Sequence, residues 1–323
     1  MPDREAASPR FARMRVLIAL GGNAMTGSDG NAAAEAQQAA VAEAMTHVAG
    51  LVAAGHDVLL THGNGPQVGN LLVKNELSAS VVPPVPLHWC GAQTQATIGF
   101  LIITALEHSL ADLGIDRKVA TVVTRTLVDG DDPGFTEPTK PIGRFLPQQE
   151  AARFIAMGQT WADRGPKGWR RLVASPEPLE ILDAPAIAAL ADAGFLVVGA
   201  GGGGIPVTRD ADGTLHGAEA VIDKDLAAVV LGRTVEAEVL VIATDVEAAI
   251  KGFGTPDASP IGRVTPQEMR GIAAEGHFTS GSMGPKVEAA VRFVEQGGRR
   301  AVITSLEQIA PGAHGEVGTV VEK

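Results

Sequence analysis

The chain contains no tyrosine and a single cysteine, and aromatic residues make up only 4 % of it. One cysteine, Cys90, excludes an intrachain disulfide framework and suits a reducing, cytoplasmic setting. No histidine pair has zinc-ligand spacing beside a second cysteine, so no resident metal site is expected. Basic residues are in deficit: 26 Lys and Arg against 37 Asp and Glu give a net charge of −11. That balance argues against nucleic acid as the main partner, because phosphate backbones need stripes of positive charge. A small anionic substrate needs only a local cationic pocket and stays open. Long apolar runs are also missing. The longest stretch without a charge, Leu77 to Leu106, carries Pro83, Pro84 and Pro86, so no membrane-spanning helix is expected. The start, Met1-Pro2-Asp3-Arg4-Glu5, lacks the basic-then-apolar order of a signal peptide, and residues 1–12 read as a flexible tail.

What is present is an ordinary globular balance over 323 residues, 45 % hydrophobic and 20 % charged, enough for one large or two medium domains. Short apolar runs alternate with longer amphipathic ones. Arg15 to Leu20 reads as a strand, Ala32 to Ala54 as a helix with Val41, Met45, Val48 and Val52 on one face, and Val58 to Leu60 as a buried strand. Thr94–Leu113, Ala184–Ala193 and Gly284–Gln296 read as helices; Val119–Val123, Phe195–Val198, Val239–Ala243 and Ala301–Thr304 read as strands. The alternation predicts an α/β fold with a mainly parallel sheet covered on both faces, whose ligands bind beyond the carboxyl ends of the strands. One segment breaks the pattern. From Arg125 to Pro178 the chain is rich in Pro, Gly and charge, and it reads as an inserted flap that closes over the substrate.

Five constellations stand at predicted strand or helix ends. Gly21-Gly22-Asn23 and Gly63-Asn64-Gly65-Pro66 are either plain turns or loops whose backbone N–H groups cradle an anion. Gly199 to Gly204, with Ala200, matches G-x-G-x-x-G. Ile205-Pro206-Val207 follows where a dinucleotide fingerprint needs a helix, which disfavours a nicotinamide site and favours close backbone approach to a small substrate. Asp223-Lys224-Asp225 is either a helix cap with a solvated first turn or a lysine aimed at transferred phosphate, fixed by Asp225. Gly281-Ser282-Met283-Gly284-Pro285-Lys286 combines a glycine-rich backbone, a proline suited to the first helical position and a first-turn lysine that runs against the helix dipole. Cys90, among apolar neighbours, reads as a buried, inert thiol. Walker, protein-kinase and nucleophile-elbow patterns are absent.

Taken in order, these motifs resemble carbamate kinases of the amino acid kinase superfamily. The resemblance spans Val16 to Val321. It rests on Ala19-Leu20-Gly21-Gly22-Asn23-Ala24, His62 to Gly69, Cys90-Gly91-Ala92, Glu137-Pro138-Thr139-Lys140-Pro141-Ile142-Gly143, Ser175 to Pro178, Gly201 to Val207, Val221 to Asp225 and Gly281 to Lys286. It implies an open αβα sandwich, a homodimer, and reversible phosphoryl transfer between ATP and carbamate giving ADP and carbamoyl phosphate, with Mg²⁺ accompanying the nucleotide. ATP production in arginine breakdown is the setting it suggests. Residues 13–218 would form the small-substrate half, with 125–178 protruding as the flap, and 219–323 the nucleotide half. By motif, Lys140, Lys224, Asp225 and Lys286 would be catalytic. Gly21, Gly22, Asn23, Gly63, Asn64, Gly65, Gly203 and Gly204 would line the substrate and phosphoryl pocket. Thr244, Asp245, Met283 and Gly284 would join Lys224 and Lys286 around the nucleotide. Ile250 stands where the family usually has tyrosine, removing an aromatic near the base. Arg125 replaces a usual glutamine and Arg144 a common proline, both with expected effects on flap closure. Two other readings remain: a kinase forming another small acyl phosphate, and a non-catalytic nucleotide or phosphate sensor.

Overall fold

The computed structural model describes residues 12–26, 33–278 and 283–323. The tail expected over 1–12 (Ala12 apart) and the Gly281-Ser282 dipeptide lie outside the described residues. The chain opens with β1 (Arg15–Leu20), α1 (Ala34–Ala53), β2 (Asp57–His62), α2 (Gly65–Ser78), α3 (Leu87–Asp112), β3 (Val119–Thr121) and β4 (Arg125–Leu127). It continues through β5 (Lys140–Leu146), α4 (Gln148–Ile155), β6 (Thr160–Asp163), β7 (Trp169–Val173), β8 (Glu180–Ile181), α5 (Ala184–Asp192), β9 (Leu196–Val198), β10 (Ile205–Arg209) and β11 (Leu215–Gly217). The remainder comprises α6 (Lys224–Thr234), β12 (Val239–Thr244), β13 (Ile250–Lys251), β14 (Ser259–Pro260), β15 (Arg263–Val264), α7 (Pro266–Ala274), α8 (Met283–Glu295), β16 (Arg300–Ser305), α9 (Ile309–Ala313) and β17 (Thr319–Glu322).

Eight strands form one sheet in the order β15-β17-β16-β12-β1-β2-β9-β3, parallel except where β16 meets β17. The sheet is continuous: β1, β2, β9 and β3 come from residues 13–218, and β12, β15, β16 and β17 from residues 219–323. Strand β1 sits where chain order reverses, between β2 and β12, and such switch points open a crevice at the strands' carboxyl ends. Its side chains alternate between faces. Leu17 and Ala19 join a core with Leu240, Ile242, Ala227 and Ala290 under α6 and α8. Val16, Ile18 and Leu20 join the opposite core with Val48, Ile102 and Val241 under α1 and α3. Burial on both faces explains why these strands read as unbroken apolar runs.

The segment expected as an inserted flap has regular structure of its own. Strands β5, β7 and β6 form a three-stranded antiparallel sheet braced by α4 over a small core of Leu146, Ala151 and Trp161. Its borders are tighter than Arg125 and Pro178. Strands β4 and β8 leave the flap for a second sheet, β11-β10-β4-β8. Arg125 lies on β4, off the flap sheet: its backbone and guanidinium bind Asp183, at 2.7 Å each, tying β4 to the start of α5. Arg144 does bear on it, holding Glu76 of α2 at 3.0 Å. Ile142 docks the flap against Val68 and Leu72 of α2.

With a small core of its own, the flap is expected to open as a local unit. Trp161→Ala should lower its local opening free energy by about 3 kcal/mol. Hydrogen exchange across β5–β7 should accelerate, while β1, β2 and β12 stay protected. Equal loss in both sheets would show that the flap does not open on its own.

Candidate active site

Four adjacent strands, β12, β1, β2 and β9, end side by side, with Leu20 level with His62 and Ala243, and Leu60 level with Val198. Their loops, the flap and the starts of α6 and α8 enclose a cavity of about 1130 Å³. Gly21, Gly22, Gly63, Asn64, Gly65, Thr244, Asp245, Lys140, Lys224, Asp225 and Lys286 all line it. The two glycine loops press together: a Cβ on Gly63 would lie 3.1 Å from the backbone nitrogen of Gly22. Helix α2 begins here, with no side-chain cap on its N-terminus, because Asn64 turns its amide to the Thr94 hydroxyl at 2.9 Å. Its positive end therefore faces the cavity.

Some expected residues lie elsewhere. Gly203 and Gly204 back onto Ile222 and Thr126, and Gly202 lines the cavity in their place. Gly202 has φ +67°, and a Cβ there would fall 2.1 Å from the Asn64 amide nitrogen, so only glycine fits. Strand β10 starts at Ile205, so the G-x-G-x-x-G match opens no helix. Met283 packs into the core beneath α8, and Gly284 sits beside the Phe278 carbonyl, both outside the lining. Asn23 lies on the short 3-10 turn Gly22–Met25 that follows β1.

The charged centre is a chain of ion pairs. Asp225, 3 % exposed, hydrogen-bonds Lys224 through Oδ1 and Lys286 through Oδ2, the latter at 2.9 Å. Burial alone would raise the Asp225 carboxyl, but the two ammonium groups outweigh it and hold it below the usual carboxylate range. Burial, aided by the repulsion of Lys286, pushes the Lys224 ammonium down, against the pull of Asp225. Two lysines against one carboxylate leave a positive excess at the cavity floor, suited to an anion. At the mouth, Lys140 reaches Asp223 at 2.9 Å, and Asp223 also caps α6. Asp223 is thus the helix cap of the first reading, but the turn it caps is buried rather than solvated, and Asp225 holds Lys224 as the second reading expected. The sequence reading assigned Asp223 only the cap of a helix, and it placed Gly203 and Gly204 rather than Gly202 at the pocket. It passed over the far wall from Ala36 to Glu43 with Leu306 and Glu307, which carries no motif.

His62, at the end of β2, is fully buried. Its Nδ1 lies 3.0 Å from the Gly63 carbonyl, and Gly201 leaves just enough room for the ring. Burial lowers it to about 4, so it is neutral in the fold. A histidine with a depressed folded pKa contributes stability that is complete above its unfolded value of about 6.5 and is lost as pH falls toward 4. The loss should run at about 1.4 kcal/mol per pH unit, roughly 3 kcal/mol in all. Denaturant unfolding at pH 7 and pH 4.5 should show a shallower acid dependence for His62→Gln than for the unchanged chain. An identical slope would mean that His62 is protonated in the fold. Cys90 is buried as expected; burial pushes its thiol up, and Asn75 is its nearest polar partner at 3.6 Å.

Comparison with known proteins agrees with this geometry. The family model described as amino acid kinase family matches residues 14–305. The carbamate kinase of Thermococcus kodakarensis is 44 % identical over 313 residues, 95 % of this chain and 98 % of that protein. Carbamate kinase 1 of Enterococcus faecium is 42 % identical, covering 96 % and 99 %. The solved structure of carbamate kinase from Giardia lamblia bound to AMP-PNP superposes with a TM-score of 0.90 at 39 % identity, covering 97 % and 99 %. With fold, cavity and near full-length similarity in accord, the chain belongs to the amino acid kinase family, in its carbamate kinase branch.

Proposed function

We propose that this protein is a carbamate kinase, catalysing reversible phosphoryl transfer between ATP and carbamate. The observation that carries the reading is the Lys224–Asp225–Lys286 chain on the floor of a cavity walled by two glycine loops. A carbamate oxygen attacks the γ-phosphorus, the bond from that phosphorus to the β,γ-bridging oxygen breaks, and ADP leaves. Such a transfer asks the protein for in-line placement and positive charge around the equatorial oxygens. Lys224 and Lys286 supply the charge, and Asp225 fixes both ammonium groups. The backbone of Gly21, Gly22, Gly63 and Gly65, with the Asn64 side chain, surrounds the small acid. Thr244 and Asp245 lie on the nucleotide side, and Lys140 closes the site from the flap.

Both Asp225 oxygens are engaged by lysines and both Asp223 oxygens by Lys140 and the α6 backbone. Both of these carboxylates are thus committed to protein partners. Mg²⁺ would enter with the nucleotide, where it would offset phosphate charge. We infer a cytoplasmic homodimer. Among the described residues no helix is long and apolar enough to cross a membrane. Trp89 and Phe100, eleven residues apart on one face of α3, are exposed apolar side chains that a second copy would cover. Sedimentation at twice the 33.2 kDa chain mass is the expected result.

Purified protein with Mg²⁺, ADP and carbamoyl phosphate should make ATP. Equal or greater yield from acetyl phosphate, or none from either, would sink the proposal. Lys224→Ala and Lys286→Ala should each lower kcat by roughly 10²–10³, by analogy with the loss of one oxyanion donor. Both should also weaken ADP binding in calorimetric titration. Lys140→Ala should lower turnover strongly while ADP affinity stays within about three-fold, because uniform binding and transition-state binding are separable. Loss of ADP binding by Lys140→Ala as severe as that of Lys286→Ala would place the flap lysine in the nucleotide site instead.

A further inference from the structure

The two carboxylate oxygens of Asp223 do different work. Oδ1 accepts the backbone N–H groups of Asp225 at 3.0 Å and Leu226 at 3.4 Å, closing the N-terminus of α6. Oδ2 accepts Lys140 Nζ at 2.9 Å, from a flap 83 residues away in the chain. The Asp223 side chain is 13 % exposed and that of Lys140 39 %, so the pair sits at the cavity rim with the carboxylate on its inner side. The next two residues on α6 are Lys224 and Asp225, and Asp225 holds Lys286 of α8. One carboxylate thus links the position of the flap cation to that of the buried lysine pair.

Three lysines converge on this cavity, and their mutual repulsion favours swinging the least buried one, Lys140, out into water. A free lysine also has four rotatable side-chain bonds to freeze before it can meet a phosphoryl oxygen. The ion pair to Asp223 offsets the repulsion and freezes those bonds in advance. Because Asp223 is simultaneously fixed to two backbone N–H groups, it cannot follow the lysine outward.

We propose that Asp223 is a positioning residue for phosphoryl transfer, holding Lys140 over the cavity and in fixed relation to Lys224 and Lys286 before substrate arrives. The proposal rests on the carbamate kinase reading of the site. It assigns Asp223 no contact with the reacting atoms. Its effect passes through Lys140 alone.

Asp223→Asn separates the two duties. Asparagine caps a helix as well as aspartate does, so one side-chain oxygen can keep α6 closed. The other position becomes an N–H donor facing an ammonium group, and the tether is lost. Three measurements decide the matter. Turnover of ADP and carbamoyl phosphate should fall roughly 10²-fold, as expected when a catalytic group is displaced, with KM for ADP within about three-fold. In a Lys140→Ala background the same substitution should add less than about two-fold, because a positioning residue has nothing left to position. Without any ligand, amide exchange in β5 should accelerate by about ten-fold in Asp223→Asn while α6 exchanges as before. Turnover within about two-fold of the unchanged enzyme would overturn the proposal. So would an equal loss in both backgrounds, or faster exchange in α6 with none in β5. If the unchanged enzyme makes no ATP, the function reading fails separately, and the exchange of β5 alone decides whether Asp223 holds the flap.

Discussion

The site is organised around a carboxylate that cannot exist alone. Asp225 lies in the interior, where an unpaired charge would cost several kcal/mol, and two ammonium groups make its burial tolerable. Each lysine comes from the first turn of a different helix, α6 for Lys224 and α8 for Lys286, and both helices pack on the same face of the central sheet. Cations at helix starts oppose the helix dipole. Asp225 and the Asp223 cap supply the negative charge that those starts favour, and so allow lysine there. With Lys140 counted as well, three lysines against Asp223 and Asp225 leave one positive charge over, which is how a chain with a net charge of −11 can present a local anion site. Charge summed over a whole protein governs long-range encounter, whereas binding is decided within a few ångströms, where buried charges are weakly screened.

The same carboxylate ties architecture to chemistry. Shifting α6 against α8 would pull one lysine from Asp225 and leave a buried ion short of a partner. The apolar contacts of Ala227, Ala228, Ala289 and Ala290, all essentially inaccessible to solvent, let the two helices lie close enough to share it. Small side chains at that contact are therefore a geometric requirement of the ion pairs above them.

Much of this was legible in the sequence where burial is extreme. Strand β1 spans Arg15–Leu20 as read, because a strand covered on both faces shows as an apolar run that stops at a glycine pair. Lys286 was legible as a cation set against the dipole of a helix start, and Lys224 and Asp225 as a charged cluster just before an apolar run. Other features were not. Helix α3 begins at Leu87, seven residues before the expected Thr94, because Pro86 occupies its N-cap and the preceding prolines masked the onset. The flap strands were missed because their sheet buries only Ile142, Leu146, Trp161 and Val173, which leaves little alternation to detect. Gly202 was confused with Gly203 and Gly204 because all three have positive φ, and only the fold determines which of them faces Asn64 and which face Ile222 and Thr126. Arg125 drew attention as an unusual residue near the flap, yet its partner Asp183 belongs to another element.

The central place of β1 bears on how the molecule assembles. Its neighbour β12 lies far along the chain, and Arg15 bonds Glu238 across a separation of 223 residues. Until that distant strand is in place, one edge of β1, with its buried-type side chains on both faces, has no partner. Closing so long a loop is slow, and an open apolar strand edge is a template for mispairing with other chains. A partly folded species built on β1 and β2 would expose the nascent carboxyl-end crevice and its glycine loops without the lysines of α6 and α8. Refolding at high protein concentration should therefore divide between productive docking of β12 and association through the β1 edge, and the cation cluster would form only on the productive branch.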